Sequence, residues 1–356
     1  MGIDSIGPGG LVAAPEVRQL PRAPWAMWLL PLLAVALLAT LAIGAVRAAS
    51  IAKAADTWNV QVSGSTPDMS IMAQGFFPNP LVIHVGDTVK WTWAATGAPH
   101  SVTFNSGKPG LDLFAPGPAA GQLVAGPAFF PLGPASPVSY DGTQQLNSGV
   151  PDPGGSYSVT FTKTGLYAYV CSFHPGMRGE VEVREAGAPL PESPAQAAAR
   201  GQATLPYLLS RMQGEAAQVK SAVGGTVHTA SAGVGDGYGI TALAFLPGNV
   251  TVNRGDTVAW VLADPFEVHT ITFLSGAATP DLLLPQPQPS GPPLLVLNPA
   301  AAAPAGGNSY TGQGIINSGI VDPGNGFVLK FDAPPGVYEY LCLIHPTMKS
   351  TVTVTS

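Results

Sequence analysis

Short runs in which apolar and polar residues alternate recur along the chain and predict β-strands. "VGDTVKW" (85–91) and "RGDTVAW" (254–260) each contain a Gly-Asp turn that leads into such a run. "GEVEV" (179–183) and "STVTV" (350–354) alternate as half-buried strands do. "SYSVTFTKTGLYAYVC" (156–171) predicts two strands joined by a turn. The pattern therefore predicts an all-β fold.

These runs occur in pairs because much of the sequence is present twice. Residues 76–104 align without gaps on residues 245–273, and residues 146–177 align on residues 316–348. Each copy contains a full set of predicted strands and is far longer than a solenoid repeat, which spans about 20–50 residues. The duplication therefore predicts two tandem β domains.

The predicted boundaries are domain 1 at 56–184, a linker at 185–225 and domain 2 at 226–356. The linker is rich in Ala and Pro, and we expect it to be partly helical, with one or two helical pieces interrupted at Pro206. Inside the domains, the Gly- and Pro-rich segments 105–145 and 274–314 predict long loops with little regular structure.

The N-terminal part of the sequence contains an apolar segment at 25–46 that is long enough to span a bilayer. Arg18 and Arg22 precede it, so we expect residues 1–24 to form a cytoplasmic tail and the chain after residue 50 to be exported. This organisation predicts a single-pass protein of the cell membrane whose domains lie on the extracytoplasmic face. The alternative is a signal peptide cleaved near Ala48, which would yield a secreted protein.

Composition supports the β prediction and excludes one class of partner. The 356 residues include 43 glycines and 37 prolines, as expected for a fold with many turns. Only 10% of the residues are charged, and the net charge is −6. Nucleic-acid binding would need clustered Lys and Arg, so we expect no nucleic-acid partner.

The only two cysteines lie in a repeated motif, C-x-x-H-P-x-M. It reads "CSFHPGM" at 171–177 and "CLIHPTM" at 342–348. One cysteine at an equivalent place in each domain indicates a thiol site rather than a disulfide framework. A disulfide between the domains is an alternative, but it leaves the histidine and the methionine of the motif unexplained.

The repeated residue types indicate a copper site in each domain. Two imidazoles and one thiolate, with a weak methionine ligand, suit copper that cycles between Cu(I) and Cu(II). Each motif supplies one Cys, one His and one Met, and His100 and His269 are repeated upstream of the two motifs. Zinc and a nucleophilic cysteine are competing interpretations, but neither gives the methionine a role. His84 aligns with Asn253, so we interpret His84 and also His228 as ordinary histidines.

These motifs resemble the cupredoxins, the blue-copper family that includes plastocyanin and azurin, and the short ligand loop is most similar to that of amicyanin. The resemblance covers both predicted domains and implies two tandem Greek-key β-sandwiches, each with one type 1 copper. It implies two mononuclear ligand sets: His100, Cys171, His174 and Met177, and His269, Cys342, His345 and Met348. Family members often have Asn after the first histidine, whereas this chain has Ser101 and Thr270.

The resemblance also implies one-electron transfer. Copper nitrite reductases and multicopper oxidases place a histidine beside the copper cysteine, and this chain does not: the neighbours are Val170, Ser172, Leu341 and Leu343. We therefore expect a membrane-tethered electron carrier rather than an enzyme, with redox proteins at the membrane as donors and acceptors. The alternatives are a copper storage or delivery protein, or a sensor ectodomain with no carrier role.

Overall fold

The computed structural model describes residues 54–356, of which residues 55–356 form one compact unit. The predicted tail and membrane segment, residues 1–46, lie outside the described residues. Within the described part of the chain, no helix combines the length and the apolar character needed to cross a membrane.

Domain 1 consists of short strands in which buried and exposed side chains alternate, as in β4, where Val89, Trp91 and Trp93 are buried. Its strands are β1 (Thr57–Ser65), β2 (Ile71–Phe77), β3 (Leu81–His84), β4 (Thr88–Trp93), β5 (Thr103–Phe104), β6 (Phe114–Pro116), β7 (Leu123–Ala125), β8 (Pro131–Leu132), β9 (Val138–Tyr140), β10 (Leu146–Ser148), β11 (Ser156–Phe161), β12 (Gly165–Val170) and β13 (Arg178–Arg184). A 3₁₀ helix, Pro127–Phe129, lies between β7 and β8.

Domain 2 repeats this order after a helix at Pro194–Ala216, which we call the interdomain helix. Its strands are β14 (Val223–Gly224), β15 (Val227–Gly235), β16 (Ile240–Leu246), β17 (Asn249–Asn253), β18 (Thr257–Ala263), β19 (Thr272–Phe273), β20 (Leu283–Gln286), β21 (Leu294–Leu297), β22 (Pro304–Ala305), β23 (Ser309–Tyr310), β24 (Ile316–Ser318), β25 (Gly326–Phe331), β26 (Gly336–Leu341) and β27 (Lys349–Thr355). A second, short helix spans Pro299–Ala302. The prediction of a mostly β chain with two tandem domains is confirmed.

Each domain packs two sheets around its own apolar core. In domain 1 one sheet has the order β2-β1-β4-β11-β9 and the other has the order β3-β13-β12-β5-β10-β8. The strand pairs β1·β4 and β3·β13 are parallel, whereas most of the others are antiparallel. Domain 2 has the same arrangement, with β15·β18 and β17·β27 as the matching parallel pairs. The two cores contain equivalent aromatic residues, Trp91 and Tyr169 in one and Trp260 and Tyr340 in the other.

The two domains are joined edge to edge, because β2 of domain 1 pairs antiparallel with β16 of domain 2. In this pairing Ile71 lies opposite Ala242, Ala73 lies opposite Ile240, and Met72 faces Thr241. Since the repeat aligns Ile71 with Ile240 and Ala73 with Ala242, the register is symmetric about the Met72–Thr241 pair. The join therefore relates the two copies as a two-fold axis relates the subunits of a dimer.

The interdomain helix covers this join. A Ser193 capping box starts the helix, and Met212 and Ala216 pack with residues of β2 and β16 in a third apolar cluster. The expected interruption at Pro206 is wrong, because the helix is continuous through that residue. Proline removes one intrahelical hydrogen bond, but Gln202, whose carbonyl loses its donor, is exposed and can bond to water. Packing on the join stabilises the helix on both sides of Pro206.

The long segments 105–145 and 274–314 are more regular than the sequence predicts. They contain the short strands β6 to β9 and β20 to β23, and part of each joins a four-stranded sheet ordered β20-β21-β7-β6. β6 pairs with β7 and β20 pairs with β21 within their own domains, and the pairing of Val124 in β7 with Val296 in β21 joins the two domains. Each strand has only two to four residues, too few to show alternation, and the pairing of β7 with β21 joins segments that are distant in sequence, so the pattern does not reveal this sheet.

Candidate metal centres

Each repeated motif forms a tight loop between two paired strands. Loop 1 joins β12 to β13, with the Cys171 N–H donating to the Met177 carbonyl at 2.9 Å and the Met177 N–H donating to the His174 carbonyl at 2.9 Å. In loop 2, between β26 and β27, Cys342 and Met348 make the equivalent bonds at 3.0 and 2.9 Å. The spacing of the motif therefore brings the cysteine, the histidine and the methionine back to one end of each sandwich.

The upstream histidines reach the same two places. His100 lies just before β5, and its Nδ1 is 4.0 Å from the Cys171 sulfur, while the His174 Nδ1 is 3.4 Å from it. In domain 2 the His269 and His345 Nδ1 atoms lie 3.8 and 3.7 Å from the Cys342 sulfur. The ligand atoms of each His-Cys-His set lie within 4.8 Å of one another, and all six residues are buried.

The structure also shows the surroundings of the two methionines and of the two remaining histidines. Met177 and Met348 are each 1% exposed and belong to the core clusters that contain the cysteines. His84 contacts the Ala188 carbonyl through Nε2 at 2.8 Å, and His228 contacts Asp256 at 3.1 Å. Neither of these histidines belongs to a three-residue set.

Ser101 and Thr270 provide hydrogen bonds around the cysteine sulfurs. The backbone N–H of Ser101 points at the Cys171 sulfur, and that of Thr270 points at the Cys342 sulfur, each at 3.4 Å. The Ser101 hydroxyl accepts from the Ser172 N–H at 2.9 Å, and the Thr270 hydroxyl accepts from the Leu343 N–H at 2.7 Å. Both residues therefore tie the upstream histidine segment to the ligand loop, a role that outer groups commonly have at metal sites.

The long segments are fastened beside the sites by a repeated asparagine. The Asn147 amide donates to the Ala128 carbonyl at 3.0 Å, and its oxygen accepts from the Thr103 hydroxyl at 2.8 Å. Asn317 makes the equivalent bonds in domain 2. In domain 1 the segment also packs Phe129 against Phe173 of loop 1, with ring centroids 4.9 Å apart. The long segments are therefore held beside the upstream histidine segments, and that of domain 1 also contacts its ligand loop.

Glu267 contacts a histidine of each set, and the sequence analysis does not identify it. It is 3% exposed, and its two carboxylate oxygens contact the outer ring nitrogens of both loop histidines. Oε1 lies 3.1 Å from His174 Nε2, and Oε2 lies 3.3 Å from His345 Nε2. Its only sequence signal is an isolated acidic residue two positions before His269 in a chain with few charges, since the repeat places Ala98 at the equivalent position.

The buried charges in the metal-free chain shift one another's pKa values. Burial alone would raise the pKa of Cys171, but the charge of His174 and hydrogen bonds from both rings hold it well below its usual value. Against the opposing effect of burial, Glu267 and the cysteine thiolates raise the pKa of His174 and of His345 to about 10. Burial would raise the pKa of Glu267, but the two histidines lower it. Each set therefore favours a thiolate.

A family model described as copper binding proteins of the plastocyanin/azurin family matches residues 60–184 and 232–355. The chain belongs to this family. The cupredoxin prediction is therefore confirmed, and each His-Cys-His set can hold one copper ion. Two nitrogen donors and one thiolate in a buried site also fit the ligand preference of copper.

Solved structures with similarity to the chain include several variants of amicyanin. A reduced Cu(I) form at pH 4 is 18% identical, covering 39% of this chain and 89% of that chain, with a TM-score of 0.22. An oxidised variant is 24% identical over 36% of this chain and 82% of that chain, also with a TM-score of 0.22. A Cu(I) variant is 27% identical over 38% and 89%, with the same TM-score. A search of curated proteins gave no match.

Proposed function

We propose that this protein carries single electrons between redox proteins through two mononuclear copper sites of the type 1 class. The observation that supports this most strongly is the buried His-Cys-His set in each domain, with a methionine of the same loop in the same core. When bound, copper supplies a one-electron cycle between Cu(I) and Cu(II).

The side chains and backbone of this chain have three tasks in such a cycle. The loop hydrogen bonds of Cys171 and Cys342 fix each thiolate at the end of its strand. The N–H groups of Ser101 and Thr270 donate to the sulfurs and stabilise their negative charge. The surrounding core excludes water, so the ligands keep one arrangement in both oxidation states and little rearrangement accompanies electron transfer.

The neighbours of the cysteines favour a carrier over a copper enzyme. Val170 and Ser172 flank one cysteine, and Leu341 and Leu343 flank the other, so neither cysteine has a histidine beside it. Four of the six histidines of the sequence belong to the two sets, and the other two make separate contacts. A set of two His, one Cys and one Met also lacks the open position that metal-ion catalysis needs.

An absorption spectrum of the copper-loaded protein, recorded before and after ascorbate, tests the carrier proposal. We expect an intense band of a copper–thiolate site that bleaches on reduction and returns on reoxidation, with copper retained throughout. Release of copper on reduction would favour the storage or delivery alternative. Absence of the band would contradict type 1 sites.

We further propose that residues 25–46 anchor the protein in the cell membrane, with the copper domains on the extracytoplasmic face. The length of this apolar segment and the preceding Arg18 and Arg22 support the proposal. The full-length protein should then stay in washed membranes and dissolve only in detergent. A mature N-terminus near Ala49 would instead establish cleavage and a secreted protein.

A further inference from the structure

Glu267 lies where the two ligand loops meet across the domain join. Its carboxylate faces His174 of domain 1 and His345 of domain 2, one oxygen toward each ring. Gln74 of β2 also donates its side-chain amide to Oε1. One side chain therefore contacts the loop histidine of the His-Cys-His set in each domain.

The position of Glu267 is fixed by its own chain segment. Asp264 is buried, and its Oδ1 accepts from the Phe266 N–H at 2.8 Å and from the Glu267 N–H at 3.0 Å. Thr241 of β16 donates its hydroxyl to the other oxygen of Asp264. The Phe266 ring packs against Gly176 of loop 1 so closely that a Cβ there would lie 2.7 Å from it. The segment is therefore built to hold one conformation against loop 1.

The arrangement is asymmetric although the join is symmetric. At the repeat offset, Glu267 aligns with Ala98, Gln74 aligns with Leu243, and Asp264 aligns with Ala95. A second carboxylate at position 98 would bring two negative charges into one buried cluster, which is unfavourable. One carboxylate with two oxygens can accept from both rings, so a single copy is sufficient.

The contact with Glu267 determines which nitrogen of each loop histidine is available to bind a metal. A carboxylate that accepts from Nε2–H fixes the tautomer that leaves Nδ1 free, and in both rings Nδ1 is the atom that faces the cysteine sulfur. Such outer partners orient the ring and increase its strength as a ligand. The negative charge between the two sites also favours the more positive, oxidised state of each.

We propose that Glu267 is a positioning residue shared by both copper sites, so that one side chain sets the copper affinity and the reduction potential of both domains. This inference rests on the proposed function. The competing interpretation is a buried ion pair that only clamps the domains together. A clamp would change the free energy of unfolding but would not change both potentials.

The test uses full-length protein in which one site at a time is disabled, by Cys171→Ser or by Cys342→Ser. In each half-loaded protein, Glu267→Gln removes the charge while keeping the shape of the side chain. We expect the reduction potential of the remaining copper to rise in both cases. For one electron, a rise of about 59 mV corresponds to a tenfold change in the equilibrium constant between the oxidised and reduced states. Glu185→Gln, at an exposed glutamate, is the matched control and should shift neither potential.

Glu267→Ala removes the acceptor for both rings and makes the position equal to Ala98. We expect copper affinity to fall at both sites, by about 10- to 100-fold as for other outer-ligand substitutions. If the parent protein binds and cycles copper but the Glu267 variants shift only one site or neither, the shared role is wrong. If the parent itself fails to cycle copper, the carrier proposal fails instead. If the Glu267→Ala variant does not fold, the reduction potentials of the Glu267→Gln variants still show whether Glu267 acts on both sites.

Discussion

The ligand ends of domains 1 and 2 are alike in the groups that face the metal position and differ in the groups behind them. Both have two Nδ1 atoms around one sulfur, one backbone N–H pointing at that sulfur, and the same loop hydrogen bonds. Only domain 2 supplies a carboxylate to the join, with Ala98 at the matching place in domain 1. The two copies therefore share the groups around the metal position and differ in the residues at the join between the domains.

A second difference lies next to the cysteines. Ser172 is half-buried and its hydroxyl lies 2.8 Å from that of Thr103, whereas Leu343 is buried and apolar. Loop 1 is also packed by Phe129 from the long segment of its own domain. The two sites therefore share ligands but have different surroundings, and experiments that treat the domains separately can show which of these features matter.

The largest expected effect is the loss of one complete site. Cys171→Ser removes the thiolate of domain 1, and copper bound per chain should fall from two to one, because domain 2 contains its own full set. Cys342→Ser should give the mirror result. Metal analysis and the visible spectrum of each variant measure this. Loss of both signals in either single variant would show a shared site and contradict two separate centres.

The sequence predicts the two sets because each ligand is present in both copies, so that coincidence is excluded by repetition. The symmetric join through β2 and β16 has no such signal, since any exposed strand edge can pair and only the folded domains select the partner. Glu267 is unpredicted for a related reason: its contacts are with His174, far away in sequence, and with a ring of its own domain. The join and the contacts of Glu267 are determined by the packing of the folded domains and therefore have no local sequence signal.

A pH titration of the metal-free protein should show the two cysteines behaving alike. Since the neighbouring rings lower the pKa of Cys171 and of Cys342, both should remain thiolates as the pH falls from alkaline to neutral. The ultraviolet thiolate absorbance of the folded protein should therefore decrease only well below the usual thiol pKa of about 8.5. The same chain unfolded in urea is the control. A folded-state step near that usual value would contradict the charge balance described for the sites.

The smallest expected effect is a difference between the two reduction potentials. An apolar, dry surrounding disfavours the more charged, oxidised state. Leu343 and Ile344 precede the domain 2 loop histidine, whereas Ser172 and Phe173 precede that of domain 1, so the domain 2 copper should have the higher potential. A gap of about 59 mV would correspond to a tenfold preference of the electron for domain 2. Redox titration of the two half-loaded variants measures it, and equal or reversed potentials would refute the ranking.

The most direct test of two complete one-electron sites in one chain is an anaerobic reductive titration of the copper-loaded full-length protein, with copper measured on the same sample. The structure predicts two coppers per chain and two electron equivalents for complete bleaching, because each domain holds its own His-Cys-His set. One copper per chain, or a single electron equivalent for two coppers, would contradict this account.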